Sequence, residues 1–251
     1  MFSIMRRVAV ITGGGSGIGR AICEQLGRDG HRVAVLDVDG DAAETVADAV
    51  RQIGTDALAL AVDVSDRAAL DMAFDEVRRV LGPVGILTTS AALTGFVPFG
   101  ELTDDVWDRE FTVNVNGVFH ALQAALRDMV AGEWGRVVTI SSVAGLSGSA
   151  NQGHYSATKG AVVALTKSIA LEYAMSGITA NTIAPFAVDT PALRAAQKVG
   201  HLPPTGYLTR AIPMGRLGAV EEISAVCGFL CSEAARYLTG QVISVNGAAV
   251  T

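Results

Sequence analysis

Seven short, almost continuously apolar runs punctuate the chain, at 8–12, 32–37, 57–63, 85–89, 136–141, 179–184 and 241–245. Rich in Val, Ile, Leu and Ala, they lack the polar alternation of a half-exposed strand and suit strands covered on both faces of a parallel sheet. Longer stretches with helical periodicity separate them, at 17–27, 41–53, 66–81, 104–131, 155–176 and 220–232. Parallel neighbours need crossovers of about a dozen residues or more, and these stretches supply them. The pattern predicts an α/β fold: a single Rossmann-like, doubly wound domain over 1–251, with a seven-stranded parallel sheet and helices on both faces. A chain of 251 residues, 50% of them hydrophobic and 18% charged, fits one core of this kind and excludes a disordered chain. Thr103 before Asp104, and Ser65 before Asp66, are expected helix caps. No internal repeat or Pro/Ser-rich linker marks a second domain. Pro185, Pro191, Pro203, Pro204 and Pro213 interrupt any long helix after strand six, so 186–218 reads as a substrate lid.

Charge and cysteine usage narrow the partners. Lys plus Arg number 19 against 25 Asp plus Glu, a net charge of −6, with no basic block to neutralise phosphates, so no nucleic-acid partner is expected. Cys23, Cys227 and Cys231 are too few and wrongly spaced for a disulfide framework and read as small buried hydrophobes. Met1 to Arg7 runs directly into the first strand without a signal-like segment, and no uncharged apolar stretch approaches about 18 residues. A cytoplasmic protein without a membrane partner is expected. His31, His120, His154 and His201 are scattered, with no cysteine or acid at ligand spacing, so no metal site is expected.

Directly after the first strand comes Thr12-Gly13-Gly14-Gly15-Ser16-Gly17-Ile18-Gly19. A strand-to-helix turn with so few side chains lets backbone amides approach a pyrophosphate at a helix N-terminus, which makes Gly13, Ser16, Gly17, Ile18 and Gly19 candidate cofactor contacts. The loop does not match G-x-G-x-x-G in any register, and it lacks the Lys-Ser/Thr ending that a triphosphate loop needs. The second strand ends in Asp37, eighteen residues beyond Gly19. A carboxylate there can accept from both ribose hydroxyls and would repel a 2′-phosphate, so NAD(H) is favoured over NADP(H). Neither Val38 nor Ser16 reverses that sign. Asp63 and Val64, after strand three, are candidates for the adenine.

Tyr155 and Lys159 stand four apart in a helical stretch, so both project from one face toward a common ligand. An ammonium near a phenol favours the phenolate and makes the group a usable proton donor and acceptor. Alone, this pair is equally a buried aromatic and a surface lysine. In order along the chain, however, stand the Thr-Gly-x-x-x-Gly-x-Gly loop at 12–19, Asn114 in Val113-Asn114-Val115-Asn116-Gly117, Ser142, Tyr155-x-x-x-Lys159, Gly215-Arg216-Leu217-Gly218 and Leu238-Thr239-Gly240-Gln241. Together they resemble the short-chain dehydrogenase/reductase family over essentially the whole chain.

The resemblance implies that Tyr155 is the general acid/base and that Lys159 lowers its pKa and holds the nicotinamide ribose. It makes Ser142, thirteen residues before the tyrosine, the hydroxyl that orients the substrate oxygen. Strand alternation sends its neighbour Ser141 to the other face. Asn114 would position a water behind the lysine, and Asn116 would be structural. Val188 and Thr190, after Pro185, would reach the nicotinamide amide and phosphate. It also implies a homotetramer with D₂ symmetry.

Three departures stand out. Thr89-Ser90-Ala91-Ala92 replaces the family's usual Asn-Asn-Ala-Gly after strand four, so hydrogen bonding at the cofactor position Thr89 must be rebuilt with hydroxyls or water. Pro185-Phe186 replaces Pro-Gly and places a ring beside the site, and Asn246-Gly247-Ala248 replaces Asp-Gly-Gly. Leu93, Thr94, Phe96, Val97, Leu146, His154, Phe186, Leu193, Leu202 and Tyr207 are the expected pocket lining. Their mostly apolar character favours a hydrophobic or cyclic ketone or secondary alcohol. The expectation is an NAD(H)-dependent oxidoreductase interconverting the two. The alternatives are a β-ketoacyl-thioester reductase, which Asp37 disfavours, and a non-catalytic NAD-binding sensor, which has no need of the complete Asn114, Ser142, Tyr155 and Lys159 set.

Overall fold

The computed structural model describes residues 6–250; residues 1–5 and 251 lie outside it, and with them most of the Met1 to Arg7 stretch and both ends of the expected 1–251 domain. In chain order the main elements are β1 (Val8–Thr12), α1 (Gly17–Arg28), β2 (Arg32–Asp37), α2 (Gly40–Ile53), β3 (Ala57–Ala61), α3 (Arg67–Val80), β4 (Val84–Thr89), α4 (Asp104–Phe111), α5 (Gly117–Ala131), β5 (Gly135–Ile140), α6 (Ala144–Ser147), α7 (Gly153–Tyr173), β6 (Ile178–Pro185), α8 (Pro191–Lys198), α9 (Thr205–Leu208), α10 (Val220–Cys231) and β7 (Val242–Val245). Every strand pair is parallel, in the order β3-β2-β1-β4-β5-β6-β7. This is the doubly wound α/β architecture that the apolar runs predict.

Strand alternation divides the core into two layers. Val8 and Val10 of β1 pack with Leu70, Phe74 and Val77 of α3, Leu122 and Met129 of α5, and Val162 of α7. Ala9 and Ile11 point the other way, toward Ile22 and Leu26 of α1, Val46 and Val50 of α2, and Ile223 and Leu230 of α10. Each large aliphatic or aromatic side chain so buried contributes about 1.5–3 kcal/mol. Cys23, Cys227 and Cys231 are free and buried in the second layer. Because β1 lies between β2 and β4, the chain reverses direction across the sheet at its C-terminal end, where a crevice opens.

Most boundaries shift by a residue or two from the sequence pattern, and the larger departures have identifiable causes. β3 stops at Ala61 because the Asp63 carboxylate accepts the Ser65 amide at 2.9 Å and its hydroxyl at 2.6 Å, turning the chain. With Ser65 thus engaged, Asp66 caps α3 instead, accepting from the Ala69 amide at 3.0 Å; Thr103 caps α4 as expected, from the Val106 amide at 3.4 Å. The stretch 104–131 is not one α-helix: a widened π turn at Thr112–Asn116 separates α4 from α5, and there Asn114 reaches across to Leu93. The proline-rich segment holds a regular turn or two of its own, since Thr190 caps α8 by accepting from the Leu193 amide at 3.2 Å and Pro191 occupies its first turn.

Candidate active site

A cleft of about 1420 Å³ lies over the C-terminal strand ends and beneath the 186–218 segment. Pockets for single drug-sized ligands span roughly 300–1,000 Å³, so two molecules fit side by side. At one end is the glycine loop. A Cβ on Gly13 would stand 2.5 Å from the Ala91 amide, and one on Gly19 would overlap the Gly13 carbonyl oxygen. The backbone therefore folds in where any side chain would block it. Ser16, Gly17 and Ile18 line the cleft. Ser16 precedes α1 with an extended backbone and makes no capping bond, leaving its hydroxyl available. Thr190 packs 3.6 Å from the position a Gly17 Cβ would take, so the start of the 186–218 segment covers the cradle.

Asp37 is fixed at the end of β2: its Oδ2 accepts from the Gly15 amide at 2.9 Å and its Oδ1 from the Asp39 amide at 3.0 Å. Asp37 and its neighbour Val38 face the cleft, as do Asp63 and Val64. Ser65 and the more distant Arg109 guanidinium hold the Asp63 carboxyl below the usual carboxylate range. Thr89 departs from its expected place. It is buried at the end of β4, outside the cleft lining, and its hydroxyl has no partner among the described residues. A side chain as short as threonine leaves that position without the amide contacts an asparagine can make.

At the other end β5 and α7 bring the reactive groups together. Ser142, Thr94 and Tyr155 line the cleft with Lys159. Ser142 Oγ also accepts from the Ala144 amide at 3.1 Å. β5 ends at Ile140, so strand alternation does not separate the two serines: Ser141 lines the cleft beside Ser142, and its hydroxyl donates to the Lys159 carbonyl at 2.8 Å, fastening the chain after β5 to α7. Burial raises the Tyr155 phenol above its ordinary value, against the lowering influence of Ser142 and Thr94. The Lys159 ammonium sits 5.7 Å from the ring centroid and donates to the Ile140 carbonyl at 2.9 Å. Its own pKa is pushed down by burial to about 8. Asn114 is buried behind this group rather than in the cleft. Its Oδ1 accepts from the Leu93 amide at 2.7 Å, and its Nδ2 donates to the Leu93 carbonyl at 3.0 Å and to Thr158 Oγ1 at 3.1 Å.

Of the expected pocket residues, Leu93, Thr94, Phe96, Phe186, Leu193 and Leu202 line the cleft, with Pro185, Val188 and Thr190 nearby. Leu146, His154, Tyr207 and Val97 do not. Leu146 faces outward on the short α6 and Tyr207 is exposed with Arg210 over its ring at 4.9 Å. The Val97 amide donates to the Asn151 carbonyl. His154 is fully buried against Glu110. Sequence reasoning missed Gln152 and His201, which also line the cleft. Gln152 stands three residues before Tyr155, a spacing that could have flagged it. His201 is brought in by the lid, its ring 5.3 Å from that of Phe96, and no local pattern marks it.

The cleft suits a nicotinamide dinucleotide, with an amide-rich cradle too close for side chains at one end, a fixed carboxylate beside it, and paired proton-bearing groups at the other end. Among the described residues, no group of three His, Cys, Asp or Glu side chains is placed to hold a metal ion, and no helix is long and apolar enough to cross a membrane.

Comparison with known proteins agrees with this geometry. Residues 7–199 match the family model for short chain dehydrogenases, and the chain belongs to that family. It is an oxidoreductase of the alcohol and ketone type. It is 37% identical over 249 residues to the sorbitol dehydrogenase of Cereibacter sphaeroides, covering 96% of each chain. It is 34% identical over 243 residues to the 3-oxoacyl-acyl-carrier-protein reductase FabG of Aquifex aeolicus, again covering 96% of each. The crystal structure of an NAD⁺-bound xylitol dehydrogenase superposes with a TM-score of 0.92 at 32% identity, covering 96% of this chain and 98% of that one.

Proposed function

We propose that the protein is an NAD(H)-dependent enzyme interconverting a secondary alcohol and a ketone, with a hydrophobic or cyclic substrate held between Tyr155 and the 186–218 lid of a single functional unit. The observation that carries this reading is one cleft with the Gly13–Gly19 cradle and Asp37 at one end and Ser142, Tyr155 and Lys159 at the other. When bound, the nicotinamide supplies or accepts the hydride. Tyr155, kept as a neutral phenol by burial, protonates the carbonyl oxygen in reduction and takes the hydroxyl proton in oxidation. Ser142 donates to the same oxygen and orients it. Lys159 holds the nicotinamide ribose and stabilises the phenolate as it forms. Asn114, whose side chain is engaged with Leu93 and Thr158, offers the backbone of the widened turn to the relay water. Gly13, Ser16, Gly17, Ile18 and Gly19 would hold the pyrophosphate, Asp37 the ribose, Asp63 and Val64 the adenine, and Pro185, Val188 and Thr190 the nicotinamide end.

The choice of NAD(H) rests on charge. Asp37 presents a carboxylate where a 2′-phosphate would sit, and the only Lys or Arg side chains lining the cleft among the described residues are Arg109 and Lys159, of which Arg109 faces Asp63.

The similarity to the Aquifex enzyme favours a second reading, a β-ketoacyl-thioester reductase. Against it stands the lid's charge. Of its four cations, Arg194 is paired with Asp189 by two bonds of 2.8 Å and Arg216 with Glu222, which leaves the dispersed Lys198 and Arg210 to meet an acidic carrier. Exposed apolar side chains on the long helices, Phe119 and Val130 on α5 and Leu171 on α7, support a D₂ homotetramer, which the solution mass would test. Three free buried cysteines fit a reducing, cytoplasmic setting. The functional test is consumption of NADH and of NADPH with hydrophobic ketones, cyclic ketones and β-ketoacyl thioesters. NADH with simple ketones supports the reading. NADPH with thioesters replaces it by the second.

A further inference from the structure

Glu110 on α4 and His154 on α7 are two ionisable side chains that the mechanism above does not use. Both are buried, with Glu110 Oε1 3.4 Å from His154 Nε2, and neither Glu110 Oε2 nor either ring nitrogen of His154 has a hydrogen-bond partner among the described residues. Burial raises the Glu110 carboxyl and lowers the His154 imidazole, so both tend to the uncharged form. The ionisable groups of α7 facing Glu110, besides His154, are Lys159 and Tyr155. Apolar residues of similar volume commonly replace such a buried couple without loss of stability, so its presence points to a task beyond holding α4 against α7.

What lies on the pair is the loop after β4. The Gly95 amide faces the Glu110 carboxyl. A Cβ on Gly95 would stand 2.7 Å from Glu110 Oε1 and overlap His154 Nε2, so the loop rests directly on the two polar ends. One turn further along, Asn114 grips Leu93 by both its amide and its carbonyl. Between the two anchors is Thr94, which lines the cleft together with Tyr155 and whose hydroxyl lowers the phenol's pKa. We propose that Glu110 and His154 are positioning residues that set the height of the Leu93–Phe96 loop and thereby hold the Thr94 hydroxyl against Tyr155.

The inference builds on the proposed oxidoreductase reading, and a test independent of turnover separates the two. Ultraviolet difference titration against a Tyr155→Phe background reads the ionisation of Tyr155 alone. In the paired Glu110→Leu, His154→Leu variant, loss of the Thr94 influence should move that ionisation to higher pH, outweighing the smaller downward effect of removing Glu110. Thr94→Val should give the same shift, and combining the changes should add nothing further. With a turned-over ketone, kcat should fall about tenfold, the scale of one lost hydrogen bond, while NADH affinity is retained. Glu110→Gln, which still accepts from Gly95, should restore most of the rate. An unchanged Tyr155 titration in the paired variant would overturn the proposal. So would a shift to lower pH, which would mean that Glu110 acts as a charge. If the paired variant does not fold, Gly95→Ala decides in the same way, because its methyl lifts the loop from the pair. A wild-type protein inert toward every ketone would refute the oxidoreductase reading while leaving the titration to judge this one.

Discussion

The two walls of the cleft are held by different forces. The wall at the strand ends grows out of β1, all five residues of which are buried, and its glycine loop follows a path that a single methyl at Gly19 would obstruct. The opposite wall, 186–218, has no buried residue in either α8 or α9. It is tied down chiefly by Val188 and Ile212, each 5% exposed, and by the Val188 to Gly218 bridge. A wall fixed by the core can hold a cofactor and a proton donor to a fraction of an ångström, whereas one carried by a few anchors can change shape with its ligand. The proposed function thus assigns the shared chemistry to the first wall and substrate choice to the second.

Gly19→Ala attacks the rigid wall most severely. The new methyl collides with the Gly13 carbonyl, and NADH affinity, measured by fluorescence titration, should fall at least about a hundredfold as the cradle opens. Asp37→Ala should be milder, raising the KM for NADH about tenfold or more through loss of charge-assisted bonds to the ribose, and narrowing the gap to NADPH. Leu202→Ala, in the 186–218 wall, should change kcat/KM among ketones by roughly tenfold, the worth of a few methylenes, with NADH affinity unaltered. If Leu202→Ala weakens NADH as much as Asp37→Ala does, the division between the walls fails.

A smaller effect concerns stability. The Lys159 pKa falls from 10.5 to about 8 in the fold. Between those values the unfolded chain holds a proton that the folded chain has released, so stability should rise with pH across that window. Below about pH 8 the buried ammonium carries its full penalty, on the order of 3 kcal/mol. Lys159→Met relieves it, less about 1 kcal/mol for the Ile140 carbonyl left without its donor. Its melting temperature at pH 7 should therefore rise by about 4–8 °C, and that gain should vanish near pH 10.

The rigid wall was also the legible one. β1 and β2 begin and end where their apolar runs do, because strands covered on both faces leave an unbroken sequence signal. The glycine loop, Asp37 and the Tyr155–Lys159 spacing are local patterns as well. Failures came where distant residues decide. The π turn at Thr112–Asn116 accompanies a contact between Asn114 and Leu93. His154 looks like a pocket residue because it adjoins Tyr155, but successive helical side chains diverge by about 100°, and His154 faces Glu110 instead. The lid's Tyr207 is misplaced because, with no core to bury in, nothing in its surroundings patterns the sequence.

The most direct test of the rigid wall as the seat of chemistry is Tyr155→Phe, assayed with NADH and a ketone that the wild type reduces. The phenol hydroxyl is the only group removed. kcat should fall about a hundredfold to ten-thousandfold, with NADH affinity and melting temperature close to wild type. A variant that binds NADH and turns over at the wild-type rate would contradict the account.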